Sequence, residues 1–192
     1  MAEKNPRKVI TGEVRLSYAR LITPKKNDRD QDTWSTVLLI PKEDKATLAK
    51  LKKAAQAALE MGIENGKLKK GTSLANGWKT LKDGDERDDL EDAPEYEGHW
   101  YMNVNGYRRP GVIDRHRDPI TDERDIYSGC YARVSLTAYP FKGDQNKGVT
   151  FGLENVQKLR DGEPLGGVVA TAPEDDFADD LEDEEYEEDN GI

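Results

Sequence analysis

The sequence contains few of the features that mark secreted or membrane proteins. Cys130 is the only cysteine among the 192 residues, so no disulfide can form within the chain. No stretch approaches the roughly 18 consecutive apolar residues of a membrane span, and the N-terminal residues lack the apolar core of a signal peptide. We therefore expect a protein of a reducing cytoplasm, built as one domain with tails and without a membrane span.

The groups that usually carry catalysis are also scarce. His99, His116 and Cys130 do not have the spacing of metal ligands, and the chain has no phosphate-binding loop, dinucleotide-binding glycine motif or nucleophile elbow. Its carboxylates cluster in segments expected to be mobile, whereas a two-metal nuclease needs carboxylates held on rigid elements. We therefore expect no catalytic residue, no metal and no cofactor, and thus a protein that is not an enzyme.

Charge is distributed unevenly along the chain. The formal charge is −10, from 29 basic and 39 acidic residues. Residues 174–192 hold twelve carboxylates and no Lys or Arg, and Asp83–Glu97, here called the acidic segment, holds nine carboxylates and one Arg. Without these two stretches, 28 basic and 18 acidic residues are left, a charge of +10. The sequence thus predicts a basic body, able to bind nucleic acid, with two acidic appendages.

The acidic C-terminus, about residues 171–192, is too charged to fold by itself, and we expect a disordered tail. Three apolar side chains, Phe177, Leu181 and Tyr186, interrupt the charge, and the sequence closes on Gly191 and the apolar Ile192. Such spaced anchors favour a segment that docks onto a partner, or a polyanion mimic that competes for a basic groove. A tail that only confers solubility is the alternative.

Hydrophobic patterning indicates a mainly β domain. Alternation predicts five or six strands, at Val9–Arg20, Trp34–Ile40, His99–Asn105, Val112–Asp114, Tyr127–Phe141 and Val149–Leu153. One helix is predicted over Asp44–Met61, with Asp44 as its N-cap and Gly62 at its end. Because no regular β-α-β repeat is present, we predict a small antiparallel barrel of the OB type over residues 1–170, with one main helix after strand 2.

The connections and the longest strand carry further expectations. Thr23–Asp32 is predicted to be a polar loop, residues 62–98 an irregular stretch with a mobile acidic segment, and Asn155–Arg160 a short helical turn. Within Tyr127–Phe141, Gly129 indicates a bulge or a close backbone approach. One face of that strand is small and apolar and should be core: Cys130, Ala132, Val134, Leu136 and Ala138.

Binding of a single nucleic-acid strand needs cations along its backbone and aromatic faces on which bases stack. The candidates are Lys79, Lys82, Trp100, Tyr101, Asn103, Tyr107, Arg108, Arg109, Arg133 and Tyr139. Several alternatives stay open. Trp100 lies on a strand face that could be core, Arg108 and Arg109 could be solvated charge, and Trp78 could either stack on bases or anchor its loop.

Four stretches carry a likeness to a known family: residues 11–18, residues 100–105 with 108–110, residues 127–136 with 139–141, and residues 147–159, the last reading KGVTFGLENVQKL. With the acidic tail, they resemble a family of bacteriophage single-stranded DNA-binding proteins with an OB fold, first catalogued as a domain of unknown function. The acidic segment has no counterpart in that pattern.

The resemblance implies sequence-independent binding of single-stranded DNA in phage replication, recombination or repair, in the cytoplasm of an infected bacterial host. It also implies self-association, as a homodimer, and an acidic tail that contacts replication proteins such as a polymerase or helicase and competes with DNA for the groove. The alternative is an acidic adaptor for protein assembly that does not bind DNA.

Overall fold

The computed structural model describes residues 4–78, 80–143 and 146–166. The elements in these ranges are β1 (Lys8–Ile10), β2 (Val14–Lys26), β3 (Asp32–Pro41), α1 (Lys45–Glu64), α2 (Leu74–Gly77), β4 (Lys82–Asp83), β5 (His99–Gly106), β6 (Gly111–Ile113), β7 (Tyr131–Lys142) and β8 (Lys147–Arg160). Short 3₁₀ turns occur at Gly84–Glu86, Pro94–Tyr96 and Glu123–Asp125. No helix in the described ranges is long and apolar enough to cross a membrane.

Five strands close into a barrel. β2 pairs with β3, β3 with β5, β5 with β8, β8 with β7, and β7 pairs back with β2. All of these pairs are antiparallel except β5–β8, which is parallel. β1, β4 and β6 extend the sheet outside this ring. The predicted fold is therefore confirmed: a mainly β barrel of the OB type, with its one main helix after the second barrel strand.

Alternate side chains of the strands fill the barrel. The small apolar face predicted for the longest strand is buried throughout, from Cys130 to Ala138. Met102 and Val104 of β5 and Phe151 of β8 complete the same cluster. α1 lies against β1, β7 and β8 and contributes alanines to this core. Small side chains on both β7 and α1 let the helix approach the sheet closely.

The helix begins as predicted and ends later. The carboxylate of Asp44 accepts a hydrogen bond from the backbone N–H of Thr47 at 3.0 Å, which satisfies an amide of the first turn. Gly62, predicted as the helix end, instead lies inside α1, and Asn65 is the C-cap. A side chain at Gly62 would collide with Pro140 and Leu68, so this glycine serves close packing.

The helical turn predicted at Asn155–Arg160 is wrong, because these residues continue β8. The β7–β8 register shifts between Ser135 and Leu136, which pair with Asn155 and Leu153, so Glu154 is an extra residue. Such a bulge moves the apolar positions of a strand by one residue. The spacing of Leu153, Val156 and Leu159 then imitates a helical period.

The polar loop predicted at Thr23–Asp32 is only partly a loop. β2 continues to Lys26 and pairs with the start of β3, with Lys25 opposite Thr33. The turn itself is short, and the Asn27 side chain accepts hydrogen bonds from the backbone N–H groups of Arg29 and Gln31. The two strands therefore reach beyond the barrel as a ribbon, which we call the β2–β3 hairpin.

The close backbone approach predicted at Gly129 is confirmed. Its φ is +116°, and a Cβ there would collide with the carbonyl oxygen of Glu163. Gly66, just after α1, also has a positive φ, of +75°, but the space around it is open. A substitution at Gly66 therefore tests backbone strain alone, whereas one at Gly129 tests strain together with a steric collision.

Gly129→Ala should lower the free energy of unfolding more than Gly66→Ala does. For Gly66→Ala we expect a loss of about 1 kcal/mol, from the left-handed backbone alone. Gly129→Ala adds the collision with Glu163 to that strain. Urea denaturation of both variants measures the difference, and equal losses would contradict the steric explanation.

Candidate nucleic-acid interface

The outer surface of β2, β3 and β5 presents side chains in rows, because residues paired across strands point to the same side of a sheet. Three rows run across these strands: Arg15, Leu39 and Tyr101; Ser17, Val37 and Asn103; and Arg20, Ser35 and Asn105. We call them the Tyr101 row, the Asn103 row and the Asn105 row. In OB folds, oligonucleotides bind on the face of the second and third barrel strands, here β3 and β5, and to the loops beside it.

The Tyr101 row is covered by the acidic segment. The Tyr96 ring meets the Tyr101 ring edge-to-face, with 5.0 Å between centroids, and only 2% of Tyr96 is exposed. Val37 and Leu39 are buried in the same apolar cluster. The guanidinium of Arg87 lies 4.0 Å from the centroid of Tyr96 and 5.3 Å from that of Tyr101. Protein side chains thus occupy one half of the face.

Ion pairs hold the start of the acidic segment in place. The Lys42 ammonium lies 2.5 Å from Asp83 and 2.6 Å from Asp85. These hydrogen bonds raise the pKa of Lys42, and the bond from Lys42 lowers the pKa of Asp85 below its ordinary value. The Lys42–Asp85 ion pair is therefore present at neutral pH. It is lost as the pH falls through the lowered pKa of Asp85 or rises through the raised pKa of Lys42. The segment predicted to be mobile is thus described in a packed conformation.

The other half of the face is open. Arg20, Asn103 and Asn105 are exposed. Asn105 pairs with Gly152 of β8, and the Tyr139 ring lies beside that glycine, 3.4 Å from where a Cβ would be. We call this half, with the adjacent Tyr107 and Tyr139 described next, the open surface.

Two tyrosines form the aromatic part of the open surface. Tyr107, just after β5, is 63% exposed. Tyr139 of β7 is half-buried, and this burial together with the nearby Tyr107 raises the pKa of its hydroxyl. Tyr139 therefore stays neutral near pH 7, and both rings offer apolar surface to a base.

Cations stand beside these rings. Arg108 and Arg109, in the turn between β5 and β6, line a cleft with Leu153, Glu154 and Asn155. Neither arginine forms an ion pair or a side-chain hydrogen bond with any described residue. The carboxylate in the cleft, Glu154, is already engaged, because Lys8 lies 3.0 Å away and the Thr137 and Ser135 hydroxyls donate to it. Both arginines are thus available to phosphate.

Two hairpins flank the open surface, and the sequence candidates did not include them. The β2–β3 hairpin carries Lys25, Lys26 and Arg29, and the β7–β8 hairpin carries Lys142 and Lys147 at its ends. Of these five, Lys26 is paired within the described residues, with Asp32 at 3.0 Å. Cations at the tips of predicted hairpins of an OB barrel were the signal that could have identified them.

The remaining candidates lie apart from the open surface. Trp100 is on the inner side of β5, packed against the core, with the Lys42 ammonium 5.1 Å from its ring centroid. Lys82 lies at the covered end, 5.9 Å from the centroid of Tyr101. Arg133 is on the outer face of β7, six residues from Tyr139 and thus about 20 Å along the strand.

Some candidates fall outside the described residues, namely Lys79 and the tail residues Phe177, Leu181, Tyr186 and Ile192. For Trp78 the structure favours the anchor, because its ring packs 6.3 Å from that of Phe151 and against the core. The open surface therefore brings together five of the candidates: Asn103, Tyr107, Arg108, Arg109 and Tyr139.

The described ranges contain no group of three or more His, Cys, Asp or Glu residues that could hold a metal ion.

An OB barrel whose open face carries aromatic rings, unpaired cations and basic hairpins defines a nucleic-acid-binding module. Residues 7–189 match the family described as the ssDNA-binding protein of Enterobacter phage Enc34. The chain belongs to this family.

Individual relatives agree with this assignment. The chain is 30% identical over 184 residues to protein p50 of Acyrthosiphon pisum secondary endosymbiont phage 1, covering 93% of this chain and 97% of p50. It is similar to the structure of the single-stranded DNA-binding protein from bacteriophage Enc34 in complex with ssDNA, with a TM-score of 0.65, 28% identity, and 83% and 90% of the two chains covered.

A more distant structure shows the fold alone. The single-stranded DNA-binding protein gp2.5 of bacteriophage T7 matches with a TM-score of 0.60 at 17% identity, over 96% of this chain and 97% of gp2.5. The family and the Enc34 structure are described as DNA-binding proteins, in agreement with the prediction that the chain is not an enzyme.

Tyr96→Ala should destabilise the protein by about 3–5 kcal/mol, because it empties a buried aromatic site between the acidic segment and β3. Hydrogen exchange of the acidic segment should accelerate, since its main apolar contact is removed. Tyr107→Ala is the matched control: its ring is exposed, and its loss should change the stability by less than about 0.5 kcal/mol. Equal effects of the two substitutions would contradict the packed arrangement.

Proposed function

We propose that this protein binds single-stranded DNA without sequence preference and that the strand lies on the open surface, between the two basic hairpins. One observation carries the proposal. On the half of the face that the acidic segment leaves free, Tyr107 and Tyr139 lie close to Arg108 and Arg109, which are unpaired among the described residues. Membership of the Enc34 family supports it, as does the 28% identical relative whose structure contains ssDNA.

Two kinds of contact would hold the strand. Bases stack on Tyr139 and Tyr107, and each stacked base contributes about 1–3 kcal/mol whatever its identity. Phosphates meet Arg108 and Arg109, whose guanidinium groups can bond two phosphate oxygens at once. No carboxylate of the described residues pairs with these arginines, so no ion pair among those residues has to break when DNA binds.

The acidic segment sets one limit of the site. Its carboxylates at positions 88, 91, 92 and 97 are exposed beside the Tyr101 row. These carboxylates repel a phosphate backbone that approaches this half of the face. In addition, the Tyr96 ring already packs against Tyr101, so a base cannot stack there. The strand is therefore directed to Asn103 and the Asn105 row. In this proposal Tyr101 packs against the acidic segment and does not stack on a base.

The acidic tail would act as an intramolecular competitor for the same cations, since it carries twelve carboxylates on the same chain and therefore at a high effective concentration. Its apolar residues Phe177, Leu181 and Tyr186, with the terminal Ile192, would dock replication proteins such as a polymerase or helicase when DNA has displaced the tail. The setting would be phage DNA replication, recombination and repair in the cytoplasm of the bacterial host, with self-association as a homodimer.

An adaptor that never contacts DNA is the second candidate function. It would keep its partner-binding activity with the arginines replaced and would have no affinity for any nucleic acid. The arginines, unpaired among the described residues and close to Tyr107 and Tyr139, favour the DNA-binding function, because an acidic adaptor has no need of them.

Replacing Arg108 and Arg109 together by Ala should weaken binding of a dT oligonucleotide and lower its salt dependence. Each phosphate contact to a single strand contributes about 0.7 to the slope of log K against log salt, so we expect the slope to fall by about 1.4. Lys52→Ala, an exposed cation of α1 away from the site, is the control and should leave the slope unchanged. Fluorescence anisotropy over a salt series measures both, and an unchanged slope in the double variant would place the phosphates elsewhere.

Deletion of residues 174–192 should tighten binding of the same oligonucleotide, most strongly at low salt, because both the competition and the DNA contact are electrostatic. Changing Phe177, Leu181 and Tyr186 together to Ser in the full chain keeps every carboxylate. It should therefore leave DNA affinity unchanged and reduce only the binding of protein partners. If the deletion leaves the affinity unchanged or lowers it, the tail does not compete for the groove.

A further inference from the structure

Tyr18, an aromatic residue of β2, has no evident structural role in its surroundings. Its side chain is 69% exposed, more than either of the other large exposed hydrophobic residues among the described ones, Tyr107 and Ile10. Its ring takes part in no aromatic or cation–π contact, and its hydroxyl makes no hydrogen bond with any described residue. Burial therefore does not account for a large ring at this position.

The backbone at Tyr18 is strained. Its φ is +47°, in the left-handed region, which costs a bulky L-residue about 1–2 kcal/mol. Such a conformation persists only when the surrounding structure imposes it, and residues of this kind cluster at functional sites. The strain at Tyr18 is not offset by packing of its own side chain.

A bulge clamped by neighbouring strands imposes this conformation. Ser17 pairs with Val37 and Arg20 with Ser35, so β2 contains one residue more than β3 between these points. The N–H of Ala19 donates to the Ser128 hydroxyl at 2.9 Å, which holds the bulge from the β7 side. A bulge re-aims a side chain, and here it turns the Tyr18 ring outward to solvent.

The bulge places Tyr18 at the border between the covered and the open halves of the face. On one side lies Tyr96, whose hydroxyl has a pKa raised mainly by burial and to a smaller extent by the nearby Tyr18. On the other side Arg20, exposed and without an ion pair among the described residues, begins the Asn105 row. That row leads across β3 and β5 to Gly152 and the Tyr139 ring.

We propose that Tyr18 is a base-stacking position of the DNA site, with Arg20 as the phosphate contact beside it. This inference rests on the proposed function and extends the site from the open surface across β2. Three strand spacings separate β2 from β8, about 14 Å in total, so Tyr18 and Tyr139 are too far apart to hold one base between them. They mark two ends of a path along the Asn105 row, and the strain at Tyr18 presents its ring for stacking before DNA arrives.

The test compares three substitutions of Tyr18 in the full-length protein. Tyr18→Ala should weaken binding of a dT oligonucleotide by about 5- to 150-fold, the range for loss of one stacked base. Its salt slope should stay unchanged, because the ring contacts no phosphate. Tyr18→Trp should retain the affinity, since indole offers a larger face.

Tyr18→Gly separates binding from folding. Glycine accepts the positive φ without strain, so this variant should unfold at the same or a higher urea concentration than the wild type while losing affinity as Tyr18→Ala does. Ile10→Ala, another exposed apolar position, is the matched control and should leave the affinity unchanged. Photocrosslinking of an oligonucleotide containing 5-iododeoxyuridine, followed by peptide mass spectrometry, should identify Tyr18 among the crosslinked residues.

Each other outcome overturns the inference. If Tyr18→Ala keeps wild-type affinity while Tyr139→Ala loses it, the DNA site stands without Tyr18. If Tyr18→Ala changes only the sedimentation of the protein and not its affinity for DNA, the exposed ring is a contact between copies of the chain. If the wild-type protein binds no single-stranded DNA at all, the proposed function fails, and the role of Tyr18 fails with it.

Discussion

Strand β7 pairs with β2 and with β8, and this double pairing closes the barrel. The closure depends on a line of small, fully buried side chains from Cys130 to Ala138, which lets α1 pack close to the sheet. Once the ring is closed, the register across β2, β3 and β5 determines which side chains share the outer face. The three cross-strand rows, and with them the candidate DNA path, follow from that register.

The outer face has one half that the acidic segment covers and one half on which we propose that DNA binds; both ligands are negatively charged. On one half, the protein supplies its own aromatic ring and carboxylates, in the acidic segment seated on Tyr101. On the other half, aromatic rings and unpaired cations are left open to solvent. A DNA strand also combines flat rings with anions. The covered half therefore shows, in protein groups, the kind of contact that we propose for DNA on the open half. The division explains how a chain of net charge −10 can present a surface for a polyanion.

Local patterns in the sequence predicted much of this fold. Alternation identified the core face of β7, and helical spacing with a capping Asp44 identified α1. The prediction was wrong at Asn155–Arg160 because one extra residue, Glu154, shifts the alternation, and a bulge has no signature of its own in the chain.

The site was predicted less completely, for a related reason. Among so many carboxylates, Tyr96 reads as part of a solvated run, and only its long-range contact with Tyr101 reveals that the segment is packed. Tyr18 lay within a predicted strand, where alternation places it on the same face as Val14 and Leu16, which are buried. The bulge that turns it outward depends on pairing with β3 and on Ser128. Long-range pairing of this kind is not encoded in a local pattern.

The division of the outer face into an open half and a covered half is the central claim, and a hydrogen-exchange footprint tests it most directly. Amide exchange would be followed by mass spectrometry in the full-length protein, with and without a saturating dT oligonucleotide. We predict slower exchange on DNA binding in residues 103–109 and in the two basic hairpins, with no change in the acidic segment. Protection confined to the acidic segment and β4, or faster exchange there on binding, would contradict the account, because DNA would then occupy or displace the covered half.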